Sequence, residues 1–255
     1  MYRHLIVGDV HGNWLALQTA LQNIQYEPFN CGLVFLGDLI DRGRDSKKVL
    51  QYIADLRDQG HEVTTLIGNH EDVLIMGLDG YISALINWID GGFGGRTTLR
   101  SYGIAEDRIS TAGDRFMFDR HEVKTKEDAR RFLAGVFGDH LGIIEKSEYS
   151  YYIKQFFEGI DAYACHGGLT TDIRIDKTPP ANLVWGDEDW IRSTKPHKER
   201  IIAIYGHWHF DRPRIDAKRI GLGMEGEVAI LDCENHIIAT SDAELIEVTR
   251  EQLKI

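Results

Sequence analysis

Five short apolar runs in this chain each end on glycine and a side chain of metal-ligand type. That repetition constrains the fold more than any bulk property. The runs lead into Gly8-Asp9-Val10-His11-Gly12, Gly37-Asp38-Leu39-Ile40-Asp41-Arg42-Gly43, Gly68-Asn69-His70-Glu71, His166-Gly167-Gly168 and Gly206-His207-Trp208-His209. Leu33-Val34-Phe35-Leu36, four apolar residues before the second cluster, reads as a buried strand. Ligands in open α/β sheets gather outside the carboxyl ends of the strands, so clusters placed there can meet in one site. A lone Asp-Arg pair would be read as a structural salt bridge; five such junctions together point to chemistry.

Taken in order, residues 3–7 form a strand. Asn13 then caps a helix with Leu15, Leu17, Leu21 and Ile24 as its core-facing stripe. After the second strand, Asp45 or Ser46 starts a helix running to about Leu56, and residues 63–67 make the third strand. This alternation predicts parallel pairing with right-handed crossovers. From Glu71 to about Phe157 the rhythm is lost. Residues 125–137 and 148–157 read as helices, and about 77–157 is expected to be a helical excursion or cap within a single domain spanning 1–255. It either shapes substrate access or is ordinary helical packing. Strands resume at 161–165 and 201–205, and 227–231 with 236–240 form a hairpin.

The chain's 43% hydrophobic content is enough for a sizeable core, and no apolar run approaches a membrane span. The N-terminus lacks the pattern of a signal peptide. Cys31, Cys165 and Cys233 are odd in number and widely spaced, which suits buried thiols in the cytoplasm. A net charge of −11 argues against a broad nucleic-acid or acidic-membrane surface. It leaves room for a phosphate substrate, because a bound cation reverses the local field. Oxygen and imidazole donors at Asp9, His11, Asp38, Asn69, His166 and His207 suit first-row divalent ions. They exceed what one ion needs, and Asp38, on the middle strand, is the natural bridge between two.

These motifs resemble those of the calcineurin-like metallophosphoesterases, and most closely the bacterial and phage type of phosphoprotein (serine/threonine) phosphatase. Asp45-Ser46 and Gly91-Gly92 with Thr98-Leu99-Arg100-Ser101-Tyr102-Gly103 are similar to bacterial members too. The resemblance covers Arg3 to about His209. It implies a four-layer α/β/β/α sandwich with two divalent metal ions, Mn first, with Fe, Zn or Ni as alternatives. Asp9, His11 and Asp38 would hold one ion; Asp38, Asn69, His166 and His207 the other. His70 would be the general acid, oriented by Asp41, and Arg42 would bind phosphoryl oxygens. A metal-bridging hydroxide would attack in line. Asp41 has a plainer alternative, pairing with Arg42. His209 matches the Gly-His-x-His pattern of the wider superfamily, where it would be a further metal ligand; otherwise it is a surface or supporting histidine.

Two departures touch the substrate. Ile67 stands where protein phosphatases of this type carry Arg, and Asp187 stands where a second substrate Arg is expected two residues after Trp185. Arg96, Arg100 or Arg192 are candidates to replace them. The resemblance implies hydrolysis of phosphomonoesters on a phosphorylated protein or a small phosphoester. The first alternative is a hydrolase of dinucleoside polyphosphates or phosphodiesters, favoured by Ile67. The second is a metal-bound inactive scaffold, which would have no need of His70 as an acid.

Overall fold

The structure is a computed structural model that describes the 255 residues other than Met1, Thr171, Asp172, Thr194 and Pro196. The N-terminal half runs β1 (Arg3–Val7), α1 (Trp14–Asn23), β2 (Cys31–Phe35), α2 (Ser46–Asp58) and β3 (Val63–Thr65), followed by α3 (Asn69–Leu78), α4 (Ile82–Asp90) and α5 (Gly95–Ser101). Next come β4 (Ile109–Ala112), β5 (Arg115–Phe118), β6 (His121–Val123), α6 (Lys126–Phe137) and α7 (Leu141–Glu145). The C-terminal half holds β7 (Tyr151–Phe157), β8 (Ile160–Ala164), α8 (Pro180–Trp185), α9 (Glu188–Arg192), β9 (Ile201–Tyr205), β10 (Arg214–Asp216), β11 (Arg219–Gly221), β12 (Ala229–Asp232), β13 (Ile237–Thr240) and β14 (Leu245–Glu247).

The larger sheet has the order β14-β13-β12-β1-β2-β3, with β1, β2 and β3 parallel as the alternation predicts. The second has the order β10-β11-β9-β8-β7. Their inner faces share one core, in which Ile6 and Val34 meet Ala162, Ile202, Ile204 and Ile220. The outer face of the first sheet is covered by α1, α2 and the excursion helices through Leu5, Val7, Leu33, Phe35, Leu17 and Ile53. Ala203 and Tyr205 on the outer face of the second pack against Leu183, Trp190 and Ile191 of α8 and α9. This is the four-layer α/β/β/α sandwich. Leu5, Ile6 and Val7 are all fully buried because β1 is covered on both faces; each such side chain contributes about 1.5–3 kcal/mol.

Three expectations are corrected. Residues 151–157 form a strand at the edge of the second sheet and not a helix. A bulge between Ile153 and Phe157, with Gln155 at φ 50°, puts Ile153 and Phe156 on the buried side three residues apart. A bulged strand therefore imitates the spacing of a helix. The excursion is also not purely helical: β4, β5 and β6 form an antiparallel sheet in which Phe116 and Phe118 pack on Phe132 of α6. In α1 the buried stripe is Ala16, Leu17, Ala20 and Leu21; Leu15 is 72% exposed. Among the described residues no helix is long and apolar enough to cross a membrane.

Candidate metal centre

The five strand-end clusters converge at one edge of the two sheets. Three groups have ligand atoms within 4.8 Å of one another: Asp9, His11 and His209; His11, Asp38 and His70; Asp38, His166 and His207. The middle group joins the other two through His11 and Asp38. Asn69 belongs with the last, its Oδ1 lying 3.1 Å from His166 Nε2 and 3.0 Å from His207 Nδ1. All seven residues expected to hold metal are thus brought together. His209 sits 3.5 Å from Asp9 Oδ2, on the His11 side, with its side chain 24% exposed.

The backbone of this site is held in an unusual state. His11, Asp38, Asp41, Arg42 and His207 all have positive φ, between 46° and 73°. Such conformations are uncommon for residues with a Cβ and cluster at functional sites. The strand ends turn sharply enough there to aim side chains inward. Two glycines permit the closest approaches: a Cβ on Gly206 would collide with Asp9 Oδ1, and one on Gly68 with both Oδ1 and the amide nitrogen of Asp38.

The donor set fits divalent cations. Ile40 O lies 3.2 Å from His11 Nδ1 and Leu36 O lies 3.1 Å from His166 Nδ1. A carbonyl only accepts, so both Nδ1 atoms carry hydrogen; His11 Nε2 is then free to coordinate, and His166 Nε2 coordinates once it gives up the proton it shares with Asn69 and Asp38. His11 Nε2 is buried with no hydrogen-bond partner and lies 3.5 Å from Asp38 Oδ2. Burial pulls the His11 imidazole down to about 4, so this nitrogen presents a lone pair toward a carboxylate. Such an orphaned pair of acceptors is costly unless a cation lies between them. Burial also lowers His166, but Asp38 and then Asp9 more than offset it and raise it to about 9. Burial disfavours the charged form of Asp38, yet His166 and His70 hold its carboxyl well below the usual range.

His70 is held differently. Its Nδ1 donates to Asp41 Oδ2 at 2.8 Å, while Nε2 faces Asp38 Oδ2 at 3.8 Å. Burial lowers its imidazole, and Asp38 and Asp41 outweigh that to leave it raised. Asp41 does not pair with Arg42; it is fully buried and accepts from Thr98 Oγ1 at 2.6 Å and from Trp88 Nε1 at 2.9 and 3.0 Å. Arg42 is exposed, with Nη1 3.3 Å from His209 Nε2.

Trp88, Thr98 and Phe93 come from the excursion and had no role in the sequence reading. Thr98 lay inside a stretch noted for its likeness to bacterial members, which was the available signal. Phe93 meets His70 edge to face at a centroid distance of 4.9 Å, and Trp185 lies beyond it at 6.2 Å, its indole donating to Asp72 at 2.7 Å. Glu71 accepts from the amides of Asp38 and Leu39 at 2.8 and 2.9 Å and so braces the turn carrying the central carboxylate. The expected replacement cations are each engaged by a carboxylate: Arg96 pairs with Asp90, Arg100 with Glu106 and Arg192 with Glu188. Ile67 is buried, and Asp187 caps α9 by accepting from Asp189 and Trp190.

The sequence profile of the calcineurin-like phosphoesterases matches residues 2–221. A symmetrical bis(5'-nucleosyl)-tetraphosphatase of Shewanella baltica is 27% identical over 237 residues, covering 80% of this chain and 83% of the relative. An asymmetrical bis(5'-nucleosyl)-tetraphosphatase, PrpE, of Bacillus velezensis is 26% identical over 236 residues, covering 85% and 82%. Among solved structures, a candidate diadenosine tetraphosphatase has a TM-score of 0.62 at 15% identity, covering 94% of this chain and 92% of the other. A cold-active protein-tyrosine phosphatase of a psychrophilic Shewanella gives 0.54 at 17% identity, covering 98% and 81%. These two likenesses are of fold. With the profile running from the first strand through the last of the converging clusters, the chain belongs to the calcineurin-like phosphoesterases, hydrolases that act with divalent metal ions.

Proposed function

We propose that the chain is a dinuclear metallophosphoesterase that hydrolyses dinucleoside polyphosphates. The observation that carries the metal assignment is Asp38, which reaches His11 with one oxygen and His166 with the other, at 3.5 and 3.4 Å. Asp9, His11, Asp38 and His209 would hold one ion and Asp38, Asn69, His166 and His207 the second. Oxygen and imidazole donors without thiolate suit first-row divalent ions, of which Mn is our first choice. Divalent ions held there supply an activated water and neutralise charge building on the phosphoryl group.

The chain's own residues supply the rest. His70 Nε2 faces the cluster and delivers a proton to the leaving oxygen. Asp41 keeps Nδ1 protonated and the ring oriented, and Trp88 and Thr98 hold Asp41. Arg42 grips phosphoryl oxygens through its planar fork. Residues 77–157 act as a cap within one domain, since Phe93, Trp88 and Thr98 all reach the His70–Asp41 pair from there. The three cysteines are buried and free, in keeping with a cytoplasmic setting.

For substrate class, the absence of cations at Ile67 and Asp187 weighs against a serine/threonine phosphoprotein, as do the pairings of Arg96, Arg100 and Arg192. The curated relatives bearing the tetraphosphatase name weigh for nucleotides. The test compares Mn-restored hydrolysis of diadenosine tetraphosphate with that of a phosphoserine/phosphothreonine peptide at equal concentration. Faster turnover of the nucleotide is expected; preference for the peptide returns the protein-phosphatase reading, which the Asp41-Arg42-Gly43 motif favours.

A further inference from the structure

A cleft of about 760 Å³ opens at the candidate metal centre, with Asp9 and His11 in its lining. Arg42, Arg44 and Lys48 line it together with Met224, Glu225 and Leu15 at the start of α1. Its size falls within the range of sites for nucleotide-sized ligands. Three features single it out. Arg44 is exposed and, among the described residues, its side chain has no hydrogen-bond or ion-pair partner, unlike Arg96, Arg100 and Arg192. Leu15 breaks the amphipathic pattern of its helix by presenting a large apolar side chain to this cleft. Glu225 is exposed in the same lining, an acceptor for hydroxyl or amino groups.

We propose that this cleft binds one nucleoside diphosphate arm of the substrate, with Arg44 as the specificity-determining cation for the phosphate next to the one attacked. Arg42 and Arg44 are two residues apart on one turn and both line the cleft, with Arg42 Nη1 3.3 Å from His209 at the metal centre. A phosphomonoester has no group to reach Arg44; a polyphosphate does. Leu15 and Met224 provide apolar surface for the nucleoside, and Glu225 faces its hydroxyls. Lys48 is already engaged with Asp45 at 2.7 Å, which leaves Arg44 as the cation free to grip an incoming phosphate. The inference rests on the nucleotide reading above.

The experiment uses full-length Mn-loaded protein. Binding of adenosine 5'-(α,β-methylene)diphosphate is measured by calorimetry for wild type, Arg44→Ala and Arg44→Lys. In parallel, kcat/KM is measured on diadenosine tetraphosphate and on p-nitrophenyl phosphate. Arg44→Ala is expected to weaken the diphosphate about tenfold, about 1.4 kcal/mol, and to lower the tetraphosphate-to-monoester selectivity ratio by a similar factor. Partial recovery is expected in Arg44→Lys. Equal diphosphate affinity in all three proteins overturns the subsite, as does an equal loss on both substrates. If wild type cleaves only phosphopeptides yet still binds the diphosphate through Arg44, the substrate reading fails and the subsite stands.

Discussion

Replacing Glu71 by glutamine changes one atom of a fully buried side chain, and the geometry around it makes that change expensive. Its Oε2 accepts from the amides of Asp38 at 2.8 Å and Gly68 at 3.1 Å, and its Oε1 from that of Leu39 at 2.9 Å. A glutamine has one acceptor oxygen. The better of its two orientations keeps the oxygen where Oε2 stands and turns the NH2 against the Leu39 N–H. Two buried donors then face each other, and each unsatisfied group costs about 1–3 kcal/mol. The expected loss is about 2–6 kcal/mol, a large part of a typical folding stability of about 5–15 kcal/mol.

The assay is urea unfolding with a chelator present, so that metal binding does not mask the difference. It is run at pH 8, where the carboxyl is ionised although burial and then Asp38 raise it to about 7; glutamine escapes that cost, which places the expected loss toward the lower end of the range. With a urea m value of about 3 kcal/mol/M, the midpoint is expected to fall by about 0.7–2 M. Because Glu71 holds the turn in which Asp38 sits at φ 49°, Mn affinity should fall as well. An unchanged midpoint would refute the reasoning: the carboxylate would then only fill space, which glutamine does equally well.

Four further outcomes are expected. His70→Ala should lower turnover by about 10²–10⁴-fold while both metals stay bound, by elemental analysis; loss of an ion would make His70 a ligand within the group it forms with His11 and Asp38. His209→Ala should weaken one ion selectively in a Mn titration, and unchanged occupancy would leave His209 a partner of Asp9 and Arg42 only. Trp88→Phe removes the indole donor from both oxygens of Asp41 and should cost about 1.5–3 kcal/mol in unfolding with kcat reduced; a fall in KM alone would contradict its place behind His70. His4 is raised above 6.5 by its hydrogen bond to Glu234, which outweighs its burial, so that contribution is full below about pH 6.5 and fades as pH rises through the folded value. His4→Gln should therefore lower the Tm at pH 5.5 and approach wild type at alkaline pH.

What could be read in the sequence and what could not divide along a physical line. Asp9, Asp38, Asn69, His166 and His207 were legible because each follows a buried apolar run directly, so strand and side chain are announced together. The residues that support them come from far along the chain and carry no such local mark. Trp88 and Thr98 reach Asp41 across 47 and 57 residues, and nothing in their own neighbourhoods reports it. The failures in secondary structure have the same origin. The β7 bulge converts a period of two into a spacing of three, and Leu15 interrupts a helical stripe because its partner is a cleft and not the core. Local pattern fails where a segment answers to something other than its own packing. At β7 that something is a sheet edge. At Leu15 it is the cleft beside the metal centre, which the side chain lines in place of the core.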